Sequence, residues 1–418
     1  RTGLPRPRPP GRPGVILPRI AVLNITKHPR RTLLIVFAIM LSVMVMLFVE
    51  GMLDGMRRTF FQRTLRDTGH IQLHDAGWED RINQYSLEYT IPEPEALLSE
   101  LRAREDVLDA EKFLLFGGML ISEGKNLSTG GVGVPPDTAF YTTVKEGMER
   151  GGLPTGPTEI AVSTRTAELL DVSFGDPLVV LVEDSQGSPY YIEYDIAGLF
   201  ESDSSQFDTS FFFITHEAAA ELLYLQGRTT EIRVNLTGPD IADDVAAELE
   251  SSWSDRDVSV QTWRDIHGSF IVIFELFDVF MFFIDLLVII VAASVITNAI
   301  LMNVFERTRE FGTMRAIGLK KRAQFGLILV EGAAYGVAGT AAGIAAGVPL
   351  VLYFAEQGLY MGAAGEAFEM GRRIYFSLTA TSLARSTAAG VLTAVLGSLY
   401  AGLVLGRRRI VEMFQEAH

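Results

Sequence analysis

The residue types that most often carry out catalysis are absent or scattered in this sequence. It has no cysteine, and its six histidines form no H-E-x-x-H or similar metal-binding spacing. It also contains neither a G-x4-G-K-[ST] phosphate loop nor a G-x-S-x-G nucleophile motif. We therefore expect no catalytic residue, no metal and no cofactor in this chain, and we interpret it as a non-enzyme.

Four ionisable side chains fall within or at the ends of long apolar stretches: Glu50, Asp285, Glu331 and Arg385. Charges are costly inside a membrane and are usually paired or functional. We expect Glu50 to lie at the outer end of the first stretch, where it would reach lipid headgroups or the outer domain. Asp285 and Arg385 should lie at similar depth, so we expect them to pair. The alternative is that each extends to water.

The apolar stretches predict a multi-pass membrane protein. Of the 418 residues, 48% are hydrophobic and 21% are charged, and the mean hydropathy is +0.24. A helical span needs about 20 apolar residues. The segment 270–281 contains two acids and predicts a helical stalk before the second span. The predicted spans are 32–52, 282–305, 325–354 and 386–405.

The first apolar stretch could be mistaken for a signal peptide. It is longer than the usual apolar core of such a peptide, and no A-x-A-like cleavage site follows it. We therefore interpret it as a retained anchor. Because the sequence begins at Arg1, we expect the natural start of the chain to lie upstream.

Basic residues beside the spans predict the orientation, because cytoplasmic loops are enriched in Lys and Arg. The head, 1–31, has eight basic residues and no acid, and its second half predicts a short helix along the inner membrane face. The loop 306–324 has six basic residues, and the tail, 406–418, has three consecutive arginines. We expect these three parts in the cytoplasm, with 53–269 and 355–385 outside.

The segment 53–269 is acidic, with 39 acidic and 16 basic residues, which argues against a nucleic-acid partner. We interpret its carboxylates as a solvated surface. Apolar alternation predicts strands at 178–184, 190–200 and 230–236. Helical periodicity predicts helices at 94–105, 164–172, 215–226 and 241–253. Interleaved strands and helices predict a mixed α+β domain between the first two spans.

Two further patterns concern the membrane part. Gly339, Gly343 and Gly347 form a small-x3-small stripe, which predicts close packing of the third span against another helix, within one subunit or across a dimer. The segment 305–322, FERTREFGTMRAIGLKKR, has apolar residues at helical spacing among charges. It predicts a short amphipathic helix across the membrane face. A plain basic anchor loop and a membrane-surface contact are simpler interpretations of the same segment.

The run from Glu306 to Gly318, ERTREFGTMRAIG, resembles the E-R-T-R-E-I-G-x-L-R-A-I-G signature of a superfamily of ABC-transporter permeases. That superfamily includes the macrolide-exporter, lipoprotein-releasing and cell-division permeases. Phe311 and Met314 replace Ile and Leu. Weaker similarities extend over nearly the whole chain, and those of the outer domain are closest to the lipoprotein-releasing permeases. The chain departs from the family in its tail, which lacks a Pro-x-Glu-Ala-Leu ending.

The resemblance implies a four-span fold with a large periplasmic domain, located in the bacterial inner membrane and working as a dimer of identical or related permease subunits. A separate cytoplasmic ABC ATPase would bind ATP and Mg and dock on the loop between spans two and three. Apolar residues of this loop would fill a groove of the ATPase, and charged residues would set the register. Glu331 would be tied to the loop by Arg315. The expected coupling residues are Glu306, Arg307, Thr308, Glu310, Phe311, Gly312, Met314, Arg315, Ala316 and Gly318.

The function that the resemblance favours is extraction of a lipoprotein or other amphipathic cargo from the membrane, with the possible participation of a periplasmic carrier or adaptor. One alternative is export of a macrolide, toxin or peptide with a periplasmic adaptor. Another is a signalling permease that transports nothing and controls an outer hydrolase. The partners expected in every case are the ATPase, a second permease subunit and membrane lipid.

Overall fold

The computed structural model describes residues 29–202, 204–362 and 373–407. The expected inner-face helix of the head, the acidic middle of the loop 355–385 and the end of the tail lie outside the described residues. The helices are α1 (Pro29–Thr68), α2 (Pro94–Arg102), α3 (Thr142–Glu146), α4 (Thr164–Leu170), α5 (Ser205–Ser210), α6 (His216–Leu222), α7 (Ala242–Ser252), α8 (Trp263–Ile266), α9 (Gly268–Glu306), α10 (Thr308–Ala316), α11 (Lys321–Gln357) and α12 (Ala380–Arg407).

The strands follow the same chain order and fall mostly between α1 and α9. They are β1 (Ile71–Asp75), β2 (Ile91–Pro92), β3 (Val107–Ser122), β4 (Lys125–Val134), β5 (Met148–Gly151), β6 (Glu159–Ser163), β7 (Pro177–Glu183), β8 (Pro189–Phe200), β9 (Phe211–Thr215), β10 (Arg228–Thr229), β11 (Glu231–Leu236), β12 (Val258–Thr262), β13 (Leu359–Tyr360) and β14 (Arg373–Ile374). The predicted strands and helices of the outer domain are confirmed, with ends that differ by a few residues.

The described residues form two compact units. The bundle unit comprises residues up to 56, 275–359 and those from 375 on, and the domain unit comprises most of the rest, from 57 to 274. Within the described residues, four helices are long and apolar enough to cross a membrane: α1, α9, α11 and most of α12. This finding agrees with the predicted number of spans.

A sheet that closes on itself forms the centre of the domain unit. The strands pair in the order β3-β4-β9-β6-β8-β7, and β7 pairs back onto β3. Closure leaves alternate side chains inside, where Phe116, Tyr194 and Phe212 are fully buried. The sheet also continues from β3 through β11 and β1 to β12, and α2 and α7 cover this part with a second apolar core. The mixed α+β domain is therefore confirmed.

The long helices extend beyond the predicted spans. α1 ends at Thr68 rather than near 52, and α9 joins the predicted stalk and second span in one helix. α11 and α12 likewise begin and end outside 325–354 and 386–405. Hydropathy marks the apolar part of a helix, whereas the helix itself ends where a residue leaves the helical backbone conformation. Gly69 and Gly358, with φ of +78° and +68°, follow α1 and α11 directly.

Candidate functional site

The segment that carries the family signature folds as α10, a nine-residue helix between α9 and α11. A single residue, Arg307, separates α9 from α10. The hydroxyl of Thr308 donates to the carbonyl of Val304, 3.1 Å away, and so satisfies a backbone acceptor at the end of α9. After α10, Gly318 adopts a φ of +100°, which allows the chain to turn into α11.

The apolar face of α10 packs against the helices of its own subunit. Phe311 is only 1% exposed and belongs to the same apolar cluster as Leu327 and Ile328 of α11, and Met314 packs against this cluster. The side-chain amide of Gln324 donates to the carbonyl of Phe311 at 2.7 Å. The expectation that Phe311 and Met314 fill a groove of the ATPase is therefore corrected. A helix that lies across the end of a bundle buries its apolar face against the apolar side chains of that bundle, so this face is not available to a partner.

A buried ion pair ties the start of this segment to α11. Arg307 Nη1 lies 3.2 Å from Glu331 Oε1, and the two side chains are 9% and 6% exposed. Arg307 Nε also donates to Glu310 at 3.0 Å, and its guanidinium lies over the ring of Phe311. The structure thus gives Glu331 a partner in Arg307. The expected tie to Arg315 stays a prediction, because the Arg315 side chain lies outside the described residues. The sequence did place Glu331 beside this loop, but it could not indicate which arginine faces it.

The opposite face of α10 and the turn after it are exposed. Ile317 is 81% exposed, a large value for an apolar side chain. Its exposed neighbours are Glu306, Arg309, Glu310, Thr313, Ala316 and Gly318. Ile317 lies within the predicted amphipathic segment 305–322, but the sequence pattern does not single it out, because its exposure depends on the turn at Gly318.

The glycine stripe of α11 packs on α1 within one subunit. Cβ atoms added at Gly339, Gly343 and Gly347 would lie within 3.0 Å of side-chain atoms of Ile39, Val43 and Leu47, respectively. The two helices run parallel here, since both residue numbers rise by four at each contact. Every fourth residue of α11 therefore lacks a side chain where α1 approaches it.

The acid of the first span lies inside the bundle unit. Glu50 is 9% exposed, and its Oε2 accepts a hydrogen bond from the hydroxyl of Ser386 on α12, at 3.2 Å. Glu50 lies within a helix rather than at the end of one, because α1 continues for 18 residues beyond it to Thr68.

The charges of Asp285 and Arg385 interact, but no direct ion pair joins these two side chains among the residues that the structure describes. Arg385 is exposed and Asp285 is half-buried. Because each remains partly accessible, neither is a fully buried charge that requires a direct partner.

In the domain unit, polar side chains have structural roles. Ser163 and Ser204 cap α4 and α5 by accepting hydrogen bonds from the backbone N–H groups of Thr166 and Phe207. Within the described ranges, no three His, Asp or Glu side chains are arranged to hold a metal ion.

A buried polar cluster on β1 and β11 was not expected from the sequence. Arg233 lies 2.5 Å from Glu231, and both side chains are almost fully buried. Nearby, the ring of His74 stacks on Trp78 with centroids 4.1 Å apart. Burial is the main cause that lowers the pKa of His74 to about 4. This histidine is therefore neutral at ordinary pH.

Comparisons with known proteins agree with this architecture. The family model described as "MacB-like periplasmic core domain" matches residues 32–252, and the one described as "FtsX-like permease C-terminal" matches residues 282–410. The lipoprotein-releasing system transmembrane protein LolC of Neisseria meningitidis serogroup B is 23% identical over 335 residues, covering 76% of each chain. LolC of Xylella fastidiosa (strain Temecula1) is 20% identical over 323 residues, covering 75% of each chain.

Among solved structures, the periplasmic region of MacB from Actinobacillus actinomycetemcomitans is similar to this chain with a TM-score of 0.35 and 12% identity. The match covers 49% of this chain and 95% of that structure. The first family model alone spans more than half of the 418 residues. The chain therefore belongs to the family of ABC-transporter permeases that combine a MacB-like periplasmic core domain with an FtsX-like C-terminal region.

Proposed function

We propose that this permease couples ATP hydrolysis by a separate ATPase chain to the extraction of a lipoprotein or other amphipathic cargo from the bacterial inner membrane. The observation that carries the proposal is the attachment of α10 to its own bundle. Phe311 anchors α10 in the apolar cluster, and the Arg307–Glu331 pair fastens its start to α11. A helix held in this way moves together with the bundle when a partner moves it.

The exposed side of the same segment is the proposed docking surface for the ATPase. Ile317 would enter an apolar groove of the partner, while Arg309 and Glu310 would set the register. ATP and Mg would be bound by the partner, since this sequence contains no phosphate loop. The basic residues of head, loop and tail support a cytoplasmic position for this surface.

The proposed direction of transmission follows the long helices. α9 is continuous from Gly268 to Glu306, the residue before Arg307. A displacement of α10 would therefore be transmitted along one unbroken helix to Gly268, at the end of the predicted outer segment 53–269. The cargo would be moved by the outer domain rather than through a channel, because the spans hold few polar side chains that could line one.

The lipoprotein cargo is proposed from the two LolC relatives and from the apolar surface of α9, whose exposed side chains include Phe282, Phe283 and Leu287. Such a surface suits a cargo that enters from the bilayer. A second permease subunit would complete the transporter, as is usual for this family.

Co-purification from the native membrane, followed by mass spectrometry, tests the proposal. An ABC ATPase together with lipoproteins or a lipoprotein carrier would support it. An ATPase with a periplasmic adaptor or outer-membrane duct would instead favour drug, toxin or peptide export. The absence of any ATPase from the purified complex would overturn the coupling role of α10.

A further inference from the structure

Three carboxylates and one arginine of the bundle unit lie near the end of the apolar spans that is opposite to α10. Glu50 and Asp54 are one turn apart on α1, Asp285 is on α9 and Arg385 is on α12. The charges of Asp285, Arg385 and Asp54 all act on the carboxylate of Glu50. With every group ionised, one positive charge therefore faces three negative ones.

The carboxylate of Glu50 is incompletely satisfied. Its Oε2 accepts the hydrogen bond from Ser386, but its Oε1 is buried and has no hydrogen-bond partner among the described residues. Glu50 is only 9% exposed. A buried acceptor without a donor costs about 1–3 kcal/mol, and more when it is charged. Glu50 Oε1 therefore lacks a hydrogen-bond donor among the described residues.

Of the other two acids, one is held by hydrogen bonds and one is not. Asp54 Oδ2 accepts a hydrogen bond from the hydroxyl of Thr379 at 2.7 Å, and Thr379 is in turn bonded to Ser382 at 3.0 Å. Asp285 is half-buried and forms no ion pair with Arg385. Polar groups from α12 and the turn before it thus fix two of the acids, whereas Asp285 remains available to a ligand.

The surface beside this cluster is apolar. On α9, Leu286, Leu287 and Ile290 follow Asp285 directly and are 42%, 59% and 57% exposed, respectively. An amphiphile with its tail on this surface would have its headgroup next to Asp285 and Glu50. A free inorganic cation would gain nothing from the apolar surface, and the described acids form no metal-binding group.

We propose that Glu50, Asp285 and Asp54 form a binding site for the cationic headgroup of an amphiphile, with the tail lying along α9. An ammonium group supplies both the positive charge and the N–H donors that Glu50 Oε1 lacks. The proposal deepens the proposed function and rests on it, since it assigns a headgroup charge to the cargo or to a lipid that occupies its place.

Photo-cross-linking tests the site without requiring an ATPase or transport. The full chain in phosphatidylcholine nanodiscs is exposed to a diazirine-bearing fatty amine or to the fatty alcohol of the same tail. Mass spectrometry then maps the labelled residues. We expect the amine to label α1, α9 and α12 around Glu50 at least fivefold more than the alcohol does. Equal labelling by the two probes would show that the site does not prefer a cationic headgroup, as expected if Glu50 itself carries a proton. This result would overturn the proposal.

Variants separate the site from general surface charge. Glu50→Gln should remove the preference for the amine, whereas Glu50→Asp, which keeps the charge, should retain it at least in part. Glu275→Gln is the matched control, because Glu275 is an exposed acid of the same helix as Asp285 and should leave the preference unchanged. A preference that survives Glu50→Gln would contradict the site even if the transporter proved to work as proposed.

Added phosphatidylethanolamine distinguishes the two sources of the cationic group. If this lipid competes with the amine probe at stoichiometric amounts, the occupant is a membrane lipid. If it does not compete while labelling remains dependent on Glu50, the site selects the headgroup of the cargo. A failure of cargo extraction with intact amine labelling would reject the proposed function and leave this site in place.

Discussion

Arg307 and Glu331 form a direct ion pair, 3.2 Å between Nη1 and Oε1, with both side chains removed from solvent. The pair joins the residue directly before α10 to α11, across 24 residues of sequence. A buried ion pair contributes little net stability, but loss of one partner leaves an uncompensated buried charge. The pair therefore fixes one position of α10 on the bundle.

Arg307→Met should destabilise the bundle by about 3–5 kcal/mol, because the buried carboxylate of Glu331 would lose its ion pair with Arg307. Arg307→Met combined with Glu331→Met should recover most of that loss, since neither charge of the buried pair remains and Glu310, the other partner of Arg307, is exposed. Thermal unfolding of the two variants in the same nanodisc measures the difference. Equal destabilisation by the single and the double variant would show that the two side chains do not act as a pair.

Gly343→Ala should destabilise the contact between α11 and α1. The new Cβ would lie 2.7 Å from the Val43 Cβ and 2.9 Å from the carbonyl oxygen of Met40, so the helices must separate. Gly326→Ala is the control on the same helix, because nothing lies within 4 Å of its added Cβ. We expect a lower unfolding temperature for Gly343→Ala and an unchanged or slightly higher one for Gly326→Ala, since alanine favours helix.

These two sites show how much of the bundle the sequence predicts. Hydropathy and the basic flanks predict four spans, and the spacing of Gly339, Gly343 and Gly347 predicts a close helix contact. The partner of that contact could not be predicted, because a small-x3-small stripe describes only one of the two surfaces. The structure supplies the other, the face of α1 that bears Ile39, Val43 and Leu47.

Residues 306–318, which contain α10, show the same limit: local pattern is predictable from the sequence, whereas tertiary contacts are not. The spacing of apolar residues predicted the helix, because spacing within nine residues is a local property. Burial of Phe311 and exposure of Ile317 depend on which face of α10 meets the bundle. Periodicity identifies an apolar face but does not tell whether the same chain or a partner covers it.

The stability of the protein should fall as the pH falls from about 6.5 to about 4. The pKa of His74 is lowered to about 4, first by burial and also by the charges of Arg81 and Arg233, with Glu231 acting in the opposite direction. An unfolded histidine titrates at about 6.5, so the unfolded state binds more protons between the two values. For this one histidine, the free energy of unfolding falls by up to about 1.4 kcal/mol per pH unit as the pH drops through this window. Above about pH 6.5 this loss is absent.

His74→Phe tests the origin of that slope. Phenylalanine keeps an aromatic ring for stacking on Trp78 but does not titrate, so the loss of stability between pH 6.5 and pH 4 should become smaller. Unfolding of the full chain in nanodiscs, followed by tryptophan fluorescence, provides the measurement. An unchanged pH dependence would show that protonation of His74 is not coupled to unfolding.

The proposed orientation predicts opposite accessibility for two exposed positions. Because the chain has no cysteine, a single introduced cysteine reports one site without background. Ile82→Cys in the domain unit should react with a membrane-impermeant maleimide added to spheroplasts, whereas Thr313→Cys on α10 should react only after the membrane is opened. The reverse pattern would place the acidic domain in the cytoplasm.

Ile317→Asp should abolish binding of the ATPase while leaving the permease folded. The side chain is 81% exposed, so the substitution removes no packing within this chain, but it places a charge in the proposed apolar contact. Loss of an anchor at the centre of an interface costs about 2–4 kcal/mol, which corresponds to a decrease in affinity of roughly 30-fold or more.

Ile82→Asp is the matched control, because Ile82 is also exposed but lies in the domain unit. Both variants should unfold at the temperature of the unmodified protein, and only Ile317→Asp should lose the co-purified ATPase and its stimulated hydrolysis. Retention of the ATPase by Ile317→Asp would move the docking surface away from the turn after α10.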